Sequence, residues 1–179
     1  VIWKATNAVG YQLVWLVSVA SAANGSLYAG PLAATAFAVM VLAFGNQRRA
    51  DLLLIPLVLA IGLLADSAWI AFGWLDYSAP WPSGHLAPGW ILGIWMAFAL
   101  TLNHSLAFLK RRYALAALLG GIGGPLAYWS ASHGFGAVHF VAATSTVLCG
   151  LCVGWALIAP VLVRFAEQRS LPRAREAVP

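Results

Sequence analysis

Three groups of residues in this chain are of a type and spacing that could do chemistry. The first is a lone carboxylic acid, Asp66, inside the apolar stretch Leu52 to Trp74. In hydrocarbon an acid must be paired, protonated or turned towards a wet cavity, because leaving a charge bare there costs about 2.5 kcal/mol or more. The second is Asn103, His104 and Ser105, with Asn7 and Gln12 expected at a comparable depth. Hydrocarbon offers such side chains no partner, so they need one another or a ligand. His104, whose ordinary pKa of about 6.5 lies near neutral pH, is the candidate acid or base of that group. The third is the pair Cys149 and Cys152, a C-x-x-C that in another setting would suggest redox or zinc chemistry. Here it lies in an apolar helix with no flanking cation to activate a thiol, so both are expected to be small buried packing residues.

The surroundings of these groups follow from composition. The chain is 62% apolar and 8% charged, with a mean hydropathy of +0.84, against roughly 25% charged in an ordinary soluble domain. An all-α membrane protein is expected, with six transmembrane helices at about Thr6 to Ala23, Leu27 to Phe44, Leu52 to Trp74, Gly89 to Leu109, Tyr113 to Ser130 and Val138 to Phe165. The six-helix domain would occupy residues 1–168, and 169–179 would be a polar cytoplasmic tail. Continuous apolarity rather than alternation argues against a transmembrane barrel. The first span is expected to remain as an anchor rather than to be removed as a signal peptide.

Basic residues orient the bundle. Arg48 and Arg49, then Lys110, Arg111 and Arg112, then Arg164, Arg169, Arg173 and Arg175 fall in alternate connections and at the end, while the loops between them carry no Lys or Arg. The positive-inside rule puts both termini in the cytoplasm. The net charge of +5 then reports topology and contact with anionic headgroups, and no basic surface remains for nucleic acid. Trp74, Trp81 and Trp90 are expected in an aromatic belt at the opposite interface.

Depth sorts the polar residues. Asp66 is fifteen positions beyond Asp51, about 22 Å from the cytoplasmic side at the helical rise. Tyr128 stands fifteen positions beyond Tyr113, at the same level. Ser67, Trp69, Trp95, Tyr128 and Thr144 are thus the expected neighbours of the carboxyl group. His104 should lie about 10 Å from Asp66 along the membrane normal, too far for a direct pair. Gly120 with Gly124, and Gly150 with Gly154, have the spacing that lets helix backbones approach, and Pro125 should bend the fifth span.

Several chemistries lack their residues. There is no nucleophile constellation, phosphate-cradling glycine loop or HExxH pattern, and no span holds a Lys for a Schiff base. His85, His133 and His139 share one side but have only Asp76 for company, and His104 and His139 lie near opposite surfaces, so neither a metal nor a haem is expected and no cofactor is assigned.

The segments NAVGYQLVWLVSV, RRADLLLI, LLADSAWIAFGW, TLNHSLAFLKRR and GGIGGPLAYW together resemble a family of small bacterial membrane proteins known as domain of unknown function 2878. The resemblance implies a multi-pass protein of the bacterial inner membrane, with its Asp, Asn-His-Ser and Gly-Pro elements carried by Asp66, by Asn103, His104 and Ser105, and by Gly124 and Pro125. It implies no established activity, and a setting in membrane fatty-acid modification.

The reading that follows is a protein that binds or moves a lipid-like amphipathic ligand through Asp66, Asn103, His104, Ser105, Gln12, Tyr128, Trp69 and Trp95, with membrane lipids as partners. Two alternatives stay open. One is a non-catalytic accessory subunit docked in a larger membrane complex or homo-oligomer. The other is a proton-coupled carrier of a small solute, which should show internal two-fold symmetry; none is visible.

Overall fold

The computed structural model describes residues 2–170. Six α-helices run in sequence: α1 (Ile2–Ala23), α2 (Ala29–Phe44), α3 (Arg48–Ala71), α4 (Gly89–Ala99), α5 (Tyr113–Ser130) and α6 (Thr144–Arg169). Three helical segments, Arg48–Ala71, Tyr113–Phe135 and Thr144–Arg169, are long and apolar enough to cross a membrane; α2 and α4 are apolar but shorter. The expected tail lies outside the described residues from position 171 onward.

The fourth and sixth stretches depart furthest from expectation; the first three differ by two to four residues at an end, and the fifth not at all. The fourth apolar stretch is helical only to Ala99, after which turns over 100–106 lead to a single 3-10 turn, Ala107–Leu109. Polar side chains explain the break. Asn7 donates to the carbonyl of Leu100 at 3.1 Å and accepts from the Ser105 backbone N–H at 3.2 Å, so a neighbouring helix takes up groups that a continuing helix would satisfy internally. The sixth stretch likewise does not begin as helix. Its first residues form β2 (Val138–Phe140), paired antiparallel with β1 (Leu75–Tyr77) so that Tyr77 faces Val138.

This small sheet ties the connection after α3 to the one before α6. Trp90, expected in an aromatic belt, is instead buried and donates its indole N–H to the Ser78 carbonyl at 3.0 Å, while Trp81 remains exposed. α5 leaves through a π-helical turn, Ala131–Phe135, and is helical through Pro125. Helices α1, α2 and α4 pack as one group and α5 on α6 as another, with α3 in contact with both α4 and α6.

The glycines have a different use from the one their spacing suggests. Of Gly120, Gly124, Gly150 and Gly154, only Gly120 serves for close backbone approach, since a Cβ there would sit 2.6 Å from the Trp155 carbonyl oxygen. Gly124, Gly150 and Gly154 instead receive the rings of Trp155, Trp74 and Trp69. Trp95 lies flat against Trp155, with centroids 4.7 Å apart and planes 5° apart. Gly62 of α3 closes one side of that pair and Gly124 of α5 the other. Four helices thus meet at two stacked indoles held between two glycines.

A Cβ at Gly62 would come within 2.4 Å of the Trp95 ring, whereas one at Gly123 would meet nothing within 4 Å. Gly62→Ala should therefore cost about 1–3 kcal/mol through overpacking, and Gly123→Ala should gain about 0.5–1 kcal/mol from reduced backbone entropy. Thermal unfolding of the two variants in the same detergent checks this opposition of sign.

Candidate functional site

Asp66 is fully buried near the far end of α3, and three donors converge on it. The phenols of Tyr77 and Tyr128 donate to Oδ1 at 2.6 and 2.5 Å, and the indole N–H of Trp95 donates to Oδ2 at 2.6 Å. The acid joins α3, β1, α4 and α5 at one point. Burial, reinforced by the adjacent Asp66 carboxyl, holds the Tyr77 phenol well above its ordinary range, so Tyr77 keeps the proton that it donates. Aromatic donors suit this place because each brings a large apolar body with a single polar tip.

Beside this centre lies a cavity of about 440 Å³ between the α1/α4 group and the α5/α6 pair. Trp95 and Tyr128 form part of its wall, so two of the Asp66 donors face the cavity with their rings. The remaining lining is mainly apolar, including Trp15, Ile94, Phe98, Leu106, Leu119 and Trp155. Tyr11, Gln12 and Ser130 supply polar side chains to the wall, and none of the three enters a side-chain hydrogen bond with a described residue. Gln12, Leu119, Gly123 and Leu126 line it and are exposed, which leaves it open between α1 and α5.

A second polar centre lies at the other end of α3. Asp51, in the first turn of that helix, is fully buried and accepts from Asn103 Nδ2 at 2.8 Å on one oxygen; its other oxygen is 2.9 Å from His104 Nε2. The helix N-terminus favours an acid at this point. Trp3 donates its indole N–H to His104 Nδ1 at 3.0 Å. An indole nitrogen is a donor only, so Nδ1 accepts, and the imidazole proton belongs on Nε2, directed at Asp51. Lys110 donates to Asn103 Oδ1 at 2.7 Å, and Ser105 Oγ donates to Asn7 Oδ1 at 2.7 Å.

Over residues 4–161 the chain matches the family described as Protein of unknown function (DUF2878). The chain belongs to this family. No curated protein and no solved structure matches it. The matched region of the DUF2878 chain takes in both acids, their partners apart from Trp3, and nearly all of the apolar cavity wall.

The eight residues expected at a ligand site fall into separate places. Asp66, Tyr128 and Trp95 are brought together, and Gln12 lines the same cavity. Asn103, His104 and Ser105 belong to the second centre, with Asn103 also on the wall of a separate basic hollow. Trp69 joins neither; it stacks on Trp74, with centroids 5.5 Å apart, over Gly154. Of the other expected neighbours of Asp66, Ser67 accepts from the Ala87 backbone N–H, and Thr144 is exposed at the start of α6.

Three residues escaped the sequence reading: Tyr77, Asp51 and Trp3. Tyr77 lies in a connection whose sequence carries no sign of burial, and Asp51 enters the sequence argument only as a reference for depth. His104 was positioned by helical rise through a stretch that is not helical. One signal in the sequence does point to Asp51: it is a lone acid at the start of an apolar helix, at the same end of the bundle as the basic residues that follow His104. Cys149 and Cys152 are not buried as expected: both are exposed on α6, with Cys152 at the edge of its contact with Gly121 of α5. In an apolar solvent a small apolar residue has no reason to turn inward.

Asp66→Asn keeps the shape of the acid but turns an amide N–H₂ towards a donor. A destabilisation of about 1–3 kcal/mol is expected from that donor–donor contact, larger than the loss from Tyr77→Phe, which leaves two donors in place. Thermal midpoints of both variants, measured by tryptophan fluorescence in detergent, test the order. An unchanged midpoint for Asp66→Asn would mean that Asp66 is held as the neutral acid.

Proposed function

We propose that this DUF2878 protein is a six-segment membrane protein with both ends in the cytoplasm, and that it binds or moves a lipid-like amphipathic molecule in the cavity between α1/α4 and α5/α6. The observation that supports the reading is the cavity itself. Its volume of about 440 Å³ is within the range of pockets that enclose a small organic ligand. Its walls are apolar, its exposed lining residues lie on α1 and α5, and its unengaged polar groups are Tyr11, Gln12 and Ser130. An apolar chain entering sideways from the bilayer would replace lipid contacts with protein contacts, and the hydroxyl and amide groups would hold a polar end.

Asp66 contributes as a positioning group. It fixes the rings of Trp95 and Tyr128 that form the wall, and its own oxygens face donors rather than the cavity. The connections after α2 and α4 carry Arg48, Arg49, Lys110, Arg111 and Arg112, and the end of α6 carries Arg164 and Arg169, which supports the cytoplasmic placement of that side. Where the short α2 and α4 cross, the membrane must thin or the flanking turns must complete the span.

Two measurements test this reading. Gly123→Phe places a ring in the cavity from a position where a Cβ meets nothing within 4 Å. Mass spectrometry of gently extracted protein should show a discrete lipid species on the unaltered chain, reduced several-fold in Gly123→Phe with no loss of thermal stability. Equal retention by both proteins, or only a random lipid mixture on each, would defeat the ligand reading.

For the orientation, Cys149 and Cys152 are first replaced by Ser. A membrane-impermeant thiol reagent on intact cells should then label His85→Cys and spare Arg49→Cys. The reverse pattern would invert the topology.

A further inference from the structure

A second hollow, also of about 440 Å³, lies at the basic end of the molecule and is walled in part by Lys4, Asn103, Phe108, Lys110, Arg111 and Arg112. It is separate from the apolar cavity. The 3-10 turn Ala107–Leu109 divides them: Leu106 and Leu109 line the apolar cavity, while Ala107, Phe108 and Lys110 line the basic hollow. We propose that the basic hollow is a binding site for a phosphate group, either that of an anionic lipid headgroup or a free phosphate.

Four cationic side chains, one from the start of α1 and three from the connection before α5, converge on one space whose described wall contains no Asp or Glu. Membrane topology calls for cations on this side, but not for their convergence, which mutual repulsion opposes. Among the described residues, the two nearby acids, Asp51 and Glu167, are engaged elsewhere. Asp51 is occupied by Asn103 and His104. Oε2 of Glu167 accepts from the Arg111 backbone N–H at 3.1 Å and from the Tyr113 hydroxyl at 2.7 Å. No hydrogen bond or ion pair with a described residue engages the side chains of Lys4, Arg111 or Arg112.

The floor and rim are also specific. Asn103 is buried and held from both sides, by its bond to Asp51 and by the Lys110 ammonium, so Lys110 is directed across the floor rather than left to sweep through solvent. Arg111 has φ of 65°, uncommon for a residue with a side chain, and its N–H bond to Glu167 holds that conformation. Phe108 is 46% exposed beside the cations. Guanidinium and ammonium groups around a hollow match the several oxygens of a phosphate, and basic pockets on the cytoplasmic side of membrane helices hold anionic headgroups in this manner.

The test uses the full chain in a neutral detergent and three probes: inorganic phosphate, short-chain phosphatidylglycerol and short-chain phosphatidylcholine. The variant is Lys4→Gln/Arg111→Asn/Arg112→Gln. All three positions are exposed, and Asn tolerates the left-handed backbone at 111, so the variant should unfold at the midpoint of the parent when no probe is present. A ligand that binds only the folded state raises the midpoint with concentration.

Phosphatidylglycerol should raise the parent's midpoint and phosphatidylcholine should not, and the triple variant should lose the rise. A rise with inorganic phosphate as well, lost in the variant, assigns the site to free phosphate; a rise with phosphatidylglycerol alone assigns it to the headgroup. No rise with either anion, an equal rise with phosphatidylcholine, or a rise that survives in the variant would overturn the proposal. Because Gly123→Phe blocks the other cavity, the same titration on that variant should still succeed, which separates this result from the fate of the apolar-ligand reading.

Discussion

Burying Asp66 without a cation constrains the half of the molecule that surrounds it. Held as a carboxylate in that position the group costs about 2.5 kcal/mol or more, and a hydrogen bond to a charged group returns about 1.5–3 kcal/mol, so a single donor gives little margin. Three donors arrive, from three different elements. Trp95 does so from α4 and Tyr128 from α5, both directly from helices. Tyr77 has no helix to place it. Its strand is held by pairing with β2, and the following residue, Ser78, is tied to the buried Trp90. The small sheet thus exists in the one place where the acid needs a third donor that no helix supplies.

The same requirement propagates through the indole pair. Trp95 can reach Asp66 only if its ring lies against α3, and Gly62, one turn before Asp66, leaves the space. The other face of the ring is covered by Trp155, whose own seat is Gly124 on α5, the helix that also carries Tyr128. The polar contact and the apolar stack are therefore one assembly. At the opposite end, Trp3 plays the corresponding part: an indole N–H meets His104, and His104 meets Asp51. In both centres an aromatic donor resolves a buried polar group while adding apolar area, which suits a bundle whose surroundings give no hydrogen bonds.

What was legible in the sequence divides along the continuity of the helices. Asp66 and Tyr128 were matched in depth because each lies in an uninterrupted helix, where rise per residue is a dependable ruler. The ruler failed for His104, since the helix preceding it stops at Ala99 and the turns over 100–106 bring the histidine level with Asp51. Tyr77 was hidden for a related reason, because a polar connection rich in proline gives no sign that one of its residues returns to the interior. Glycine spacing showed where something approaches closely but not what approaches; at Gly124, Gly150 and Gly154 it is an indole. For Cys149 and Cys152, apolarity alone could not distinguish a face packed on protein from an outer one, because in a membrane the two have the same composition.

The engagement of the titratable side chains bears on the kind of work the fold supports. His104 has both ring nitrogens committed, one accepting from Trp3 and the other directed at Asp51, and the adjacent Ser105 hydroxyl is turned to Asn7 rather than to the imidazole. Asp66 likewise presents both oxygens to donors. Neither acid nor the histidine lines the apolar cavity, whereas Tyr11, Gln12 and Ser130 do, with side chains that no described residue engages. Buried groups of this type set the positions of walls; groups of the second type meet what lies between them. The wall nearest the basic hollow is a single 3-10 turn with leucines on one side and Phe108 and Lys110 on the other. The two spaces therefore share one thin wall, the short segment that ends the fourth apolar stretch.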